Sequence, residues 1–182
     1  VNHGITLPKM TRKTTEKGRK YFTPEGNAYP SITTVLSILS KDSIMRWRKR
    51  VGEEEANKIS HQAATRGTSV NNIWFQEEFL YSDKLKCAGQ VDCIAEFDGE
   101  LSIIDFKTAR KPKKIEWITN YFIQASFYAA AFYERTGIPI KKGAILIAVD
   151  HSEPQIFTVN THDWLPQFLD VRQKYKELKE NG

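Results

Sequence analysis

Cysteine is nearly absent: Cys87 and Cys93 are the only two among 182 residues. Two thiols at that spacing build neither a disulfide framework nor a zinc site, and they exclude a four-cysteine iron–sulfur cluster. Six residues apart on one strand, they would share a face as small, reduced core residues. Histidine is also scarce. His3, His61, His151 and His162 lie scattered, without metal-ligand spacing. No apolar run approaches the roughly 20 residues of a membrane span, and no signal peptide is visible, so no membrane partner is expected. Internal repeats and low-complexity tracts are missing too, which removes solenoid and disordered readings.

What remains is the composition of a folded domain: 40% hydrophobic, 12% aromatic and 27% charged residues. The length suits one domain with a sizeable core. The net charge is +5 and the isoelectric point about 9.1. A basic excess favours a polyanionic partner, because Lys and Arg displace counterions from phosphates.

Residues 1–18 are polar and basic without periodicity, which predicts a flexible arm; residues 19–182 read as one domain. Around Pro24-Glu25-Gly26, residues 20–29 read as two short extended pieces joined by a turn. A helix is expected to start after Ser31 as N-cap, with Val35, Leu36, Ile38 and Leu39 on its apolar face. Residues 42–63 read as one or two more helices, completing an N-terminal part over 19–65. From residue 66 the core part begins with a helix from Gly67 to Leu80, burying Val70, Ile73, Trp74 and Phe79. The period then changes. Residues 89–97 and 101–106 are β-rich runs separated by Asp98-Gly99-Glu100, a hairpin signal. A long helix over 115–136 ends at Gly137. Strands follow at 144–149 and 155–159, then a last helix over 162–180. The expected class is mixed α/β.

The chemistry gathers in the hairpin. Asp92 precedes Asp105-Phe106-Lys107 by thirteen residues. A turn at Asp98-Gly99 puts Asp92 and Asp105 on neighbouring strands, and Asp105 and Lys107 project from one strand face. Two close carboxylates repel, and a hard divalent cation relieves that repulsion; oxygen ligands suit Mg²⁺ or Mn²⁺. The Phe106 carbonyl offers a further oxygen. Such an ion polarises a phosphate and acidifies a bound water, while Lys107 can orient or deprotonate that water. A plain surface salt bridge is the competing explanation of Asp-x-Lys. Ile103-Ile104 before it argues otherwise, because charges at the end of an apolar strand are costly unless they serve a purpose.

Four segments in order carry a resemblance: Arg66-Gly67-Thr68, Gly89-Gln90-Val91-Asp92, Asp105-Phe106-Lys107, and Gln124 to Tyr128. The chain resembles the PD-(D/E)XK nuclease superfamily in its RecB-like branch. Tyr29-Pro30-Ser31-Ile32-Thr33-Thr34-Val35-Leu36, with Trp117 and Asn120-Tyr121-Phe122, is similar to the mitochondrial genome maintenance exonuclease family and its phage relatives. The resemblance implies a restriction-endonuclease-like core, a central mixed sheet flanked by helices, with a helical N-terminal arch. It implies a metal-dependent DNA exonuclease, monomeric, preferring single strands with a free end. It also implies Asp92 and Asp105 as metal ligands, Lys107 as the water-assisting residue, and Gln124 and Tyr128 as their support. A cytoplasmic setting, in a bacterial or phage-infected cell rather than a mitochondrion, is expected. The family's helix histidine is replaced here by Asn71, a weaker oxygen ligand. That departure keeps a second reading open, a slow or inactive single-strand-binding relative. A repair- or restriction-type endonuclease is a third, and RNA is a further substrate class.

Candidate DNA contacts follow. Arg46, Trp47, Lys49 and Arg50 read as a phosphate track with a stacking ring, or equally as a basic face with a core Trp. Arg66, Thr108, Lys111, Lys113 and Lys114 flank the candidate catalytic segments, and Tyr121 precedes Gln124 on its helix. Ser31, Thr33 and Thr34 are either phosphate contacts or helix caps. Glu77 and Glu78 read as solvated surface, although Glu78 would share the face of Asn71 on a helix.

Overall fold

The computed structural model of the chain describes residues 4–39, 60–63 and 70–180. A three-stranded antiparallel sheet opens the chain: β1 (Thr11–Thr15), β2 (Gly18–Phe22) and β3 (Ala28–Pro30). The expected flexible arm is thus corrected, since β1 lies inside it. Alternation was invisible there because all five β1 residues are exposed. The turn expected at Pro24-Glu25-Gly26 is present. The Gly26 N–H donates to Thr23 O (2.9 Å), with Gly26 at φ 89°. Helix α1 (Ile32–Leu36) follows its expected N-cap, Ser31, whose Oγ accepts from the Thr34 N–H at 3.0 Å.

A six-stranded sheet forms the body, in spatial order β4 (Ser60–Ala63), β9 (Gln155–Asn160), β8 (Lys142–Val149), β7 (Glu100–Ala109), β6 (Cys87–Phe97), β5 (Val70–Ser82). Only β7 and β8 run parallel. Helix α2 (Thr119–Thr136), entered through a 3-10 turn at Ile115–Trp117, supplies the crossover between them. Asp98 (φ 50°) and Gly99 (φ 80°) take the left-handed conformations that a tight β6–β7 hairpin requires. Gly137 (φ 74°) ends α2 as expected. Helix α3 (Thr161–Tyr175) closes the fold and runs on in a π-helical turn to Glu180.

Two helical expectations are corrected. The segment read as a helix from Gly67 to Leu80 contributes strand β5 from Val70 onward. Its aromatic and β-branched residues suit either state, and the open edge of β6 decides for a strand. A bulge between Asn71 and Phe75, with Asn72 at φ 46°, absorbs the register shift. Residues 60–63, read as the end of a helix, pair with β9. The rest of 42–59, with Arg46, Trp47, Lys49 and Arg50, lies outside the described residues, as does Arg66. The helical arch therefore has no description either.

The core sits between the sheet and α2/α3. Helix α2 is buried on most sides, with Phe122, Ile123, Ala125, Phe127, Ala131 and Phe132 inside. Phe122 meets Trp164 at 5.3 Å between ring centres, and Phe127 meets Phe168 at 5.1 Å. Each such side chain contributes about 1.5–3 kcal/mol on burial. The far end of α2 is latched. Arg135 donates to Tyr81 Oη and Asp83 Oδ2 (3.0 Å each) and pairs with Glu134, and the Tyr29 hydroxyl donates to Asp83 at 2.6 Å. Cys87 and Cys93 are free and buried on β6 but enter different clusters of the core.

Candidate active site

The β6–β7 ladder starts at Phe97↔Glu100 and stops at Cys93↔Ile104. Beyond it β6 leaves β7 and stays paired with β5, while β7 stays with β8 as far as Ala109↔Val149. The two strands fork, and Asp92 and Asp105 are the first residues past the fork. The Phe106 N–H donates to Asp92 Oδ2 at 3.0 Å. A backbone donor freed by the fork thereby orients one carboxylate.

Asp105 faces α2, beside Ile103 of the core. Its Oδ1 lies 3.4 Å from Lys107 Nζ, while its Oδ2 is buried without a hydrogen-bond partner. Burial pushes its carboxyl up to about 7, Asp92 adds to the rise, and Lys107 opposes it. An anion held in this position invites a cation. The Lys107 ammonium also stands over the Tyr121 ring, 4.7 Å from its centre.

Helix α2 supplies the opposite wall. Tyr121, Gln124 and Tyr128 recur at helical spacing and line one small cleft with Gln90, Asp92, Asp105 and Lys107. Gln124 Nε2 donates to Tyr128 Oη (3.1 Å), and the Tyr128 hydroxyl donates to the Gln90 carbonyl (2.8 Å). The cleft holds about 40 Å³, room for about two or three water-sized ligands. Gly89 explains why α2 approaches so closely. A Cβ there would lie 2.7 Å from Ile32 Cγ2 and 2.8 Å from Tyr128 Oη. Gly89→Ala is therefore expected to cost about 1–3 kcal/mol of stability, as overpacking does, read as a lower urea midpoint; an unchanged midpoint would remove this account of the glycine.

The other expected site residues fall elsewhere. Asn71 pairs with Glu96, four residues along β6 from Asp92 and so about 13 Å away, and does not join the carboxylates. Among the described residues no group of three or more His, Cys, Asp or Glu side chains could hold a metal. Ser31 is buried and bonded to Thr33 Oγ1 and Thr34 Oγ1 (3.0 and 2.8 Å), which is capping chemistry. Thr108 and Lys111 are exposed beyond the fork; the Lys113 backbone bonds Gln155, and Lys114 stands over Trp117. The sequence reading overlooked Gln90. Its position inside Gly-Gln-Val-Asp was the available signal.

The model of the PD-(D/E)XK nuclease superfamily matches residues 16–181. Mitochondrial genome maintenance exonuclease 1 of Mus musculus is 38% identical over 124 residues, 61% of this chain and 36% of that protein. Its Homo sapiens counterpart is 30% identical over 88 residues, 47% of this chain and 26% of that protein. The chain thus spans about a third or less of these relatives. The crystal structure of SSO0001 aligns over 81% of this chain and 66% of its own, at 15% identity and a TM-score of 0.38. With nearly the whole length matched, this chain belongs to the PD-(D/E)XK nuclease superfamily.

Proposed function

We propose that the chain is a Mg²⁺- or Mn²⁺-dependent DNA exonuclease acting on single strands with a free end. One observation carries the reading: the half-bonded carboxylate of Asp105, its Oδ2 buried, at the fork beside Asp92 and Lys107. The donor set fits a hard cation. Asp105 Oδ2 has no hydrogen-bond partner and Asp92 is held by one backbone donor; the Phe106 carbonyl would add an oxygen. Two carboxylates with waters and a substrate phosphate are a usual Mg²⁺ set, so a third acid is not required. Bound there, the ion would polarise the scissile phosphate and acidify a water. Lys107 orients that water and offsets charge building on the phosphate. Tyr128 and Gln124 hold the cleft wall, and Gln90 anchors them through its carbonyl. DNA as substrate is supported by the basic balance of the chain and by the names of its relatives.

A second reading, single-strand binding without catalysis, draws on the distance of Asn71 from the carboxylates. End-labelled single-stranded DNA, incubated with Mg²⁺, with Mn²⁺ and with EDTA, separates the two. Mononucleotide or short products with metal and none with EDTA are expected. Binding without products would favour the second reading. Covalently closed single-stranded circles should survive, and their cleavage would replace the exonuclease by an endonuclease.

A further inference from the structure

The β1–β2 hairpin concentrates charge to a degree that folding does not explain. Residues 9–22 hold Lys9, Arg12, Lys13, Lys17, Arg19 and Lys20 against Glu16 alone, a net +5 equal to that of the whole chain. None of these cations has a carboxylate within salt-bridge reach among the described residues.

The register sorts them onto two faces. Arg12 lies opposite Tyr21, on the face turned toward β5 and β6. Tyr21 is buried, and Arg12 stands over the Phe79 ring and donates to Gln90 Oε1 at 3.1 Å. Gln90 lines the catalytic cleft. The hairpin is therefore seated directly on the wall of the candidate active site.

The outward face pairs Lys13 with Lys20 and Thr11 with Phe22. Like charges directly opposite one another across two strands destabilise a hairpin. A lysine on an edge strand guards against strand-to-strand association, which accounts for Lys13 on β1. It does not account for Lys20, because β2 is the central strand of its sheet. Beside the two ammonium groups lies the half-exposed Phe22 ring, 5.9 Å from Lys13 Nζ. Adjacent cations and an aromatic face are the elements that hold a single strand, the cations on phosphates and the ring on a base.

We propose that the outward face of this hairpin binds the backbone of single-stranded DNA and delivers it to the cleft between β6, β7 and α2. The inference rests on the nuclease reading for the identity of its ligand. A phosphate backbone also resolves the Lys13–Lys20 repulsion, which the chain alone leaves uncompensated.

The test uses the full chain and the double variant Lys13→Gln/Lys20→Gln. Binding of a fluorescent single-stranded oligonucleotide is followed by anisotropy in EDTA over a salt series, and cleavage in Mn²⁺ at saturating oligonucleotide. Losing two phosphate contacts should lower the slope of log affinity against log salt by about 1.4, at roughly 0.7 per contact. At 0.1 M salt that corresponds to about a 25-fold weaker complex, on counterion release alone. The maximal cleavage rate should not change, and the variant should melt no lower than the parent. An unchanged slope with an affinity within twofold of the parent's would overturn the hairpin assignment even if cleavage is robust. A parent that binds with the expected slope but never cuts would leave the hairpin standing and remove the nuclease reading. A parent that does not bind the oligonucleotide would remove the hairpin's role outright.

Discussion

Lys107→Ala is expected to lower the rate of single-strand cleavage by about a thousandfold while leaving the fold in place. Among the described residues Lys107 is the only cation lining the cleft, so nothing nearby can replace its charge. Removing one preordered group that stabilises developing charge costs about 10²–10³ in rate, and loss of water orientation adds to it. The stability cost is small by comparison. The ammonium is a third exposed, and its 3.4 Å contact with Asp105 is worth about 1 kcal/mol or less in partial solvent. Asp105→Ala should be as severe in rate, because it removes the carboxylate at the head of the fork. Single-turnover cleavage with Mn²⁺, compared with urea unfolding of the same preparations, gives both quantities. Near-parental cleavage by either variant would sink the assignment of the fork as the catalytic centre. A collapsed urea midpoint in Lys107→Ala would assign the residue to the fold instead.

The parts of this site legible from the sequence are those written in local spacing. Asp105 and Lys107 share a face because they are two apart on a strand, and Asp98-Gly99 announces the hairpin that brings Asp92 near. Gln124 and Tyr128 are four apart on a helix, and their mutual hydrogen bond follows from that. The fork itself was not legible. It depends on β6 leaving β7 for β5, a competition among three strands that no local pattern encodes. For the same reason β5 read as a helix: Val70, Ile73 and Trp74 satisfy a helical period, and only the open edge of β6 decides otherwise. The hairpin at Thr11–Phe22 was hidden differently. Apart from Phe22 its outward residues are polar, so its strands carry no apolar alternation, and Tyr21 alone hinted at an inner face. Gly89 was visible as a motif letter. Its reason, the close approach of Tyr128 and Ile32, required the packed structure.

Asp105→Asn should make the metal-free protein more stable at pH 8 while abolishing cleavage. The carboxyl of Asp105 is raised to about 7 in the folded state against an ordinary 3.8, with burial as the main cause. A raised value means that the folded chain holds this proton more tightly than the unfolded chain does. The stabilising contribution is therefore complete below about pH 4 and is lost as pH climbs to about 7. Above that, the folded state carries a buried charge with Oδ2 unbonded. Between pH 5 and pH 8 about two units of the shift are traversed, on the order of 3 kcal/mol lost from the parent chain in EDTA. Asparagine does not titrate, and its amide can donate toward Asp92 as the protonated acid would. The variant's urea midpoint should thus stay level with respect to this group, overtaking the parent as pH rises. Mg²⁺ or Mn²⁺ at pH 8 should raise the parent's midpoint and leave the variant's nearly unmoved, since a ligand that binds only the folded state stabilises it in proportion to its occupancy. A parent whose midpoint does not fall relative to Asp105→Asn between pH 5 and 8 would contradict the buried-charge account. A variant that gains as much from the metal as the parent would move the ion away from Asp105. The two midpoints together therefore test one physical statement, that the fold tolerates an unfavourable carboxylate at the fork because a divalent cation completes it.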